Sequence, residues 1–536
     1  MLSLVRPVPR VVTRPLAVLA LVAWVGAMGV LIAQSYADKA SGSLATDLAR
    51  YGSTATWRGV YYRGEKIGFT VSQTVPTDDG FRIEETGQLQ MTLLGATSAA
   101  TITSTVLVAR DFGLRSFDFS LDPMTGPMRI KGTLNGQRLA LTISSASGTR
   151  SEERMLEEPP ALSQSLGRRL ASAGLAPGAR HQWTLFDPAT LRNSPVVITV
   201  GDREVVRGGA SPTPAFRVQM EFAGLRTMSW VTDTGEVIRE ESPMGLITVR
   251  ETPERARALA VSDRMRIDLL QASSVVPKTP KPIDDPGGVT SMRLRLEGVD
   301  LAAAGVDALD GGSQRVVGDF VELRNASTLK PERLTEDLTK YLAPEAFVES
   351  DAPEIIAEAK TAVQGVTGTR ARAERLTRYV NGLLEKKPTV SLPSAREVLR
   401  TKVGDCNEHT VLFVAMARAL GIPARIAVGM VYVHGAFYYH AWPEVFLEEG
   451  PGRGIWMPVD PTLNQFPADT THLRLTRGGL DKQAAILPLI GRLEMTVADV
   501  DIAPSAVPVL VGREPVDLGS LAVPIPQRQR RCCICP

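Results

Sequence analysis

Three side chains that together make a nucleophile occur in order in the last quarter of this chain. They are the thiol of Cys406, the imidazole of His440 and the carboxylate of Asp460. An imidazole can take a thiol's proton and later hand it to a leaving group. A carboxylate fixes the ring tautomer and stabilises the imidazolium. The chemistry such a set performs is attack on a carbonyl carbon with formation of a thioester. Cys406 sits in Gly404-Asp405-Cys406-Asn407-Glu408-His409, followed by the helix-like apolar run Val411, Leu412, Val414, Ala415, Ala419. Gly421 and Pro423 close that run as helices commonly close. The thiol is thus expected at a helix start, where unpaired N–H groups favour negative charge and lower a thiol's pKa. The Cys406 N–H is a natural oxyanion donor there. Free cysteine is more often a small buried apolar residue, so Cys406 means little without partners.

The partners must be carried by the elements that follow. Ile422 to Gly429 begins one strand, and Tyr438 to Phe446, with His440, forms the next. Glu449-Gly450-Pro451-Gly452 turns the chain into a third strand, Ile455 to Thr462, which ends on Asp460. Adjacent antiparallel strands lie about 5 Å apart, so His440 and Asp460 can be hydrogen-bonded neighbours. Pro443 cannot donate to a ladder, so this strand is expected to be an edge there or to turn that position away from its neighbour.

At these residues the chain resembles the transglutaminase-like superfamily of papain-like thiol enzymes. The resemblance rests on Gly404-Asp405-Cys406 before a helix, Arg418 to Arg425, His440-Ala441-Trp442-Pro443-Glu444-Val445, and Trp456-Met457-Pro458-Val459-Asp460-Pro461-Thr462. It covers roughly residues 340–475 and is carried by several linked motifs in order. It implies that Cys406 is the nucleophile, His440 the base and Asp460 the orienting acid. It also implies a helix bearing the Cys packed on an antiparallel sheet bearing the His and Asp, and hydrolysis of an amide at least as readily as cross-linking.

The same residues have other uses to weigh. His409 lies one turn from Cys406 and could be the base, but it lacks a carboxylate partner in the motif order. Cys406, His409, His434 and His440 could surround zinc, which would leave Asp460 and its strand without a role. No metal or cofactor is therefore expected. Glu408 and His409 are expected to pack or support, His434 to lie in a loop, and Arg418 and Arg425 to make structural ion pairs. Cys532, Cys533 and Cys535 stand in a tail expected to be disordered.

The remaining chain reads as α+β. Residues 50–255 are expected to form an antiparallel β-rich domain. The turn signals Arg63-Gly64, Asn135-Gly136 and Thr232-Asp233-Thr234-Gly235 separate its strands. Leu139, Leu141 and Ile143 alternate as one buried face, and Leu162, Leu166 and Leu170 mark a helix interrupting the sheet. His181 is this half's single histidine, so no catalytic set is expected there. Residues 254–272 look helical, and 273–288, dense in Pro and Gly, read as a linker. Residues 289–480 are the transglutaminase-like domain, with helices over about 351–365 and 368–386 and a capping box at Ser394-x-x-Glu397. Residues 481–536 form a C-terminal extension.

Length and composition set the outer limits. At 536 residues several domains are expected, and 44% apolar residues suffice to build their cores. A net charge of +2 without a basic face argues against nucleic acid as a partner. Arg6, Arg10 and Arg14 precede an uncharged run, residues 15–33, long enough to span a bilayer. The arginines keep that end inside. Residues 1–34 are therefore expected to be a cytoplasmic stub and anchor, with Ser35-Tyr36-Ala37 offering a rival signal-peptide cleavage site. Either way the bulk is expected outside the cytoplasm; with the anchor uncleaved, which is the reading preferred, it is held in the inner membrane and faces the periplasm. One cysteine before residue 532 means the fold is not built on disulfides. The expected partner is a protein or peptide substrate in the cell envelope. The contrasting expectation is an idle scaffold whose β domain binds an envelope partner, and a third is an apolar carrier cavity in the β half.

Overall fold

The computed structural model describes residues 55–503, apart from residues 94–95, 208–210, 223–224, 243–244, 259–273, 303, 389–390, 480–481, 484–485, 487–488 and 490. The anchor expected at 15–33 and the tail cysteines lie outside the described residues, as does most of the helical stretch expected over 254–272. Among the described residues no helix is long and apolar enough to cross a membrane.

The N-terminal half is a fourteen-stranded antiparallel sheet running from Thr56 to Glu251. Nearly every strand pairs with its sequence neighbour, and the first (Thr56–Tyr62) also pairs with the last (Leu246–Glu251). Short turns make this meander. At the Asn135-Gly136 turn, Asn135 pairs with Arg138, so the two loop residues are Gly136 and Gln137, one step later than the dipeptide suggests. Gly136 has φ +63°, a conformation that costs glycine least. Leu139, Leu141 and Ile143 all face the core. The helix Ser163–Ala173 joins the two outermost strands and buries Leu166 and Leu170. His181 lies on the strand Arg180–Asp187 beside the Trp183 ring. A cavity of about 230 Å³ in this half is lined by Arg58, Glu85, Arg168, Glu236 and Glu240 among others. Its polar lining does not suit an apolar ligand.

The C-terminal half layers helices on a five-stranded antiparallel sheet. The strand order is Glu332–Arg333, Arg453–Pro458, Ala436–Glu448, Ala424–Val433, Leu473–Arg477. Helices Pro353–Ala362, Thr369–Leu383 and Ala395–Thr401 surround the helix Cys406–Ala419. That helix is buried along almost its whole length, including Val411, Leu412, Phe413 and Val414. A fully buried helix is apolar on every side rather than on one stripe. A second sheet, of four strands, pairs Val289–Glu297 with Glu494–Ile502.

The Pro-rich stretch is extended, as its prolines require, and it is packed. Val275 exchanges both backbone hydrogen bonds with Phe437, and Lys278 bridges to Thr496. The halves also touch directly. Leu392, Ala346 and Phe347 join the apolar cluster of the long sheet. Ser147 Oγ donates to Glu397, and Arg150 pairs with Asp351 at 3.1 Å. The β domain thereby leans on helix Ala395–Thr401, which packs against the Cys406 helix.

Candidate active site

Cys406 is the first residue of its helix, and local chemistry fixes that start. The Asp405 side chain accepts from Asn407 N–H at 3.0 Å, and Glu408 reaches back to the Asp405 N–H at 2.9 Å, a reciprocal capping box. Ser391 donates to the other Glu408 oxygen. Gly404 is needed because a Cβ there would stand 2.2 Å from that of Glu408. Glu408 is thus part of the support expected of it. His409 is fully buried, and its Nδ1 lies 2.6 Å from the Asp405 carbonyl. That bond turns the ring back along the helix, and burial lowers its pKa.

The helix is stitched to the His440 strand at one peptide. Thr410 Oγ1 donates to the Ala441 carbonyl at 3.0 Å, and the Ala441 backbone acts on the Cys406 thiol, favouring its thiolate. His440 is the preceding residue. Its Nε2 lies 2.7 Å from Asp460 Oδ2, leaving Nδ1 as the nitrogen not engaged by the carboxylate. Trp442, two residues along the same strand face, is 1% exposed and stacks on the His440 ring at 6.0 Å. Gly429 sits opposite His440, where a Cβ would strike the Leu473 carbonyl at 2.0 Å. The sequence-derived residues Cys406, His440 and Asp460 are therefore brought to one place.

The electrostatics differ from expectation at the thiol. Burial pushes the Cys406 pKa well above its ordinary range, and Asp405, Glu408 and Asp460 push the same way. Only the Ala441 backbone opposes them. Burial first and the acidic cap second thus work against the thiolate that a helix start favours. The cysteine retains partial exposure. Asp460 is held far below the usual carboxylate range, because two imidazoles outweigh its burial.

The second imidazole, His472, is passed over by sequence reasoning. Its Nε2 lies 3.1 Å from Asp460 Oδ2 and its Nδ1 3.1 Å from Asp469 Oδ1. The readable signal is Asp469-x-x-His472 directly before a strand. The zinc grouping is not formed among the described residues. His434 sits in the hairpin turn between Val433 and Ala436 at φ +47°, and His409 bonds the Asp405 carbonyl. The group with ligand-like spacing is instead His440, Asp460 and His472. There every Asp460 oxygen is already taken: Oδ1 accepts from the N–H groups of Thr462 and Leu463, Oδ2 faces both histidines.

Three further expectations resolve here. Arg418 pairs with Glu345 at 2.7 Å and Arg425 with Glu444 at 2.7 Å, so both are structural. Ser394 Oγ accepts from Glu397 N–H and donates to buried Glu349 instead of completing a reciprocal box. The His440 strand is internal, not an edge. The Pro443 carbonyl accepts from Val459 N–H, so its missing donor faces the Arg453–Pro458 strand at the rung where that strand ends.

A cavity of about 590 Å³ lies between the halves and is lined by Arg154, Arg192, Glu345, Phe347, Lys482 and others, with no residue of the Cys406–His440–Asp460 set.

Residues 357–461 match the model of the transglutaminase-like superfamily. An uncharacterized protein, Rv2569c, of Mycobacterium tuberculosis is 26% identical over 187 residues, 32% of this chain and 54% of that protein. Mb2599c of Mycobacterium bovis matches at the same identity and coverage. The chain spans about half the length of these relatives. Among solved structures, a β-barrel-like protein from Brucella abortus, of a domain of unknown function, aligns with TM-score 0.30 and 12% identity, over 37% of this chain and 96% of that one. A protein named as a candidate cysteine protease from Cytophaga hutchinsonii aligns with TM-score 0.26 and 16% identity, over 40% and 83%. At such scores neither carries an argument about this chain. What places the chain is the match over 357–461, which contains Cys406, His440 and Asp460: this stretch is a transglutaminase-like core domain.

Proposed function

We propose that this chain is a thiol enzyme that acts on amide bonds through a Cys406 thioester, with hydrolysis favoured over transfer to an amine. The observation that carries the reading is the convergence on one peptide. Thr410, one turn along the Cys406 helix, bonds the Ala441 carbonyl at 3.0 Å, and the residue before Ala441, His440, is bonded to Asp460 at 2.7 Å. His440 removes the thiol proton as sulfur attacks the carbonyl carbon. The oxyanion forms beside the Cys406 N–H at the helix start. Collapse breaks the C–N bond, and the amine leaves with the proton that His440 carried. Water, or an amine, then attacks the thioester while His440 takes its proton, and collapse of the adduct breaks the C–S bond as His440 returns that proton to the sulfur. Asp460 holds the ring and balances its charge throughout.

The substrate is proposed to be an envelope protein or peptide, met by a chain anchored through residues 15–33 with its bulk facing the periplasm. Incubation of the full chain with peptide and amide substrates tests the chemistry. Release of acid and amine, lost in Cys406→Ala, is the expected outcome. Hydrolysis that survives Cys406→Ala would sink the mechanism. Resistance to carbonate extraction from membranes tests the anchor.

A second reading has one observation in its favour: a cavity of about 590 Å³ lies between the halves and not at Cys406. On that reading the core domain is an idle scaffold and the β domain engages an envelope partner. Full cellular function of Cys406→Ala would favour it.

A further inference from the structure

We propose that His472, clamped by Asp469, is a positioning residue for the Cys406–His440–Asp460 set: it fixes the rotation of the Asp460 carboxylate and sets the charge His440 meets when it takes the thiol proton. The inference rests on the thiol–imidazole reading above and adds a residue to it.

The geometry is a closed ring. Asp460 exchanges both backbone hydrogen bonds with Gln465, at 2.9 and 2.8 Å. The Gln465 side chain then reaches Asp469 twice: Nε2 donates to Asp469 Oδ2 at 2.7 Å, and Oε1 accepts from Asp469 N–H at 2.9 Å. Asp469 Oδ1 accepts from the Thr471 N–H and hydroxyl and faces His472 Nδ1 at 3.1 Å. His472 Nε2 returns to Asp460 Oδ2, closing the loop. Trp442 presses edge-on against the ring at 5.1 Å. Asp460 is fully buried and His472 is 5% exposed, and both are held by the protein groups named above.

The protonation state follows from the contacts. Both His472 nitrogens face carboxylate oxygens at 3.1 Å. A neutral ring would set one lone pair against a carboxylate, so the arrangement selects the imidazolium. The same two carboxylates lift the His472 pKa to about 10 against its burial.

This gives the site a charge balance that a lone triad lacks. Asp469, His472 and Asp460 sum to one negative charge while His440 is neutral. They sum to zero with His440 once it holds the thiol proton. Without the His472 charge, the cluster that His440 joins through Asp460 would carry two negative charges. Other charged or titratable groups that act on this cluster stand on several elements: Cys406 and His409 interact with Asp460, Asp405 and Glu408 act on the thiol, Tyr439 on the His440 strand faces Cys406 and Asp405, and Lys386 acts on His409. Arg474, two residues beyond His472, is engaged by Glu444.

The test reads the pH dependence of Cys406 alkylation by iodoacetamide in the full chain. The Cys406 peptide is followed by mass spectrometry so that Cys532, Cys533 and Cys535 do not contribute. Thermal melting of each variant is recorded alongside. His440→Ala sets the level without the base. His472→Phe is expected to fall at least about tenfold toward that level near neutral pH, because Asp460 loses its brace. His472→Gln keeps a neutral N–H donor for Oδ2. It is expected to recover most of the rate while its inflection moves up by about one pH unit, since His440 then meets an uncompensated carboxylate. Asp469→Asn should move the inflection in the opposite direction. Profiles of His472→Gln and Asp469→Asn that coincide with the unmodified protein overturn the inference, whether or not His472→Phe folds. If His440→Ala itself leaves the profile unchanged, the thiol–imidazole reading falls first and this inference with it. An effect of His440→Ala without one from His472 or Asp469 removes only the inference.

Discussion

The two halves of this chain treat charge in opposite ways. The long sheet keeps most of its ion pairs in solvent: Arg129–Asp118 has side chains 51% and 28% exposed, and Arg203–Asp233 48% and 59%. Lys66–Glu251, at 9% and 3%, is its buried exception. The core domain puts charge inside. Glu444, with a side chain 2% exposed, is met by Arg425, Arg474 and Arg477, and Asp460, at 0%, by His440 and His472. Burying a charge costs several kcal/mol per ion before its partners repay it, so a fold tolerates it where fixed geometry is worth the cost. The β half is held by apolar alternation and turns. The core domain is held by apolar packing plus two buried polar hubs, one structural and one chemical.

Substitutions can break that contrast, and the largest effects should come from the chemical hub. Cys406→Ala should abolish amide turnover with melting behaviour unchanged. Asp460→Asn should cut turnover by about 10³–10⁴-fold while the chain stays folded, because the ring tautomer is no longer fixed. Turnover assays with paired melting curves check both. At the structural hub, Glu444→Ala should cost about 3–5 kcal/mol in denaturant unfolding, since it leaves Arg474 buried and unpaired. Leu392→Ala, which withdraws a side chain from the long sheet's cluster, should cost about 2–4 kcal/mol and unlink the unfolding of the two halves. The smallest effect belongs to the long sheet: Arg129→Ala should change stability by no more than about 0.5 kcal/mol.

The pH response sharpens the same contrast. His472 is raised from 6.5 to about 10, so the stability it contributes is full below pH 6.5 and is lost as pH rises toward 10. Asp469 is lowered from 3.8 to about 2, so its contribution is full above pH 3.8 and lost as pH falls toward 2. The core domain should therefore be most stable between about pH 4 and 6.5. His472→Phe should flatten the alkaline slope, read as melting temperature against pH.

Local pattern made much of this legible in the sequence. The Cys406 helix, the strand order that brings His440 to Asp460, and the alternating strands of the β half all follow from periodicity and turn residues. Asp405-x-x-Glu408 was also readable as a capping box, and with it the negative charge beside the thiol. What sequence could not supply comes from closure in three dimensions. His472 meets Asp460 only because Gln465 and Asp469 fold the intervening loop back on itself. Glu444 gathers arginines from two neighbouring strands, and Pro443 sits in an internal strand because the adjoining strand stops at its rung. The contact between Leu392 and the long sheet spans too much chain for any window to show.

The rung between Val275 and Phe437 has a practical bearing on how the chain can be divided. Phe437 lies three residues before His440, and the stretch leading out of the β half supplies both of its backbone hydrogen bonds there. A fragment begun at residue 289 would look complete by its motifs yet would enter solution with an open seam beside its own base. One begun ahead of residue 274 carries the seam's other edge with it. The connection between the halves is thus less a tether than a rung added to the five-stranded sheet, three residues from the imidazole.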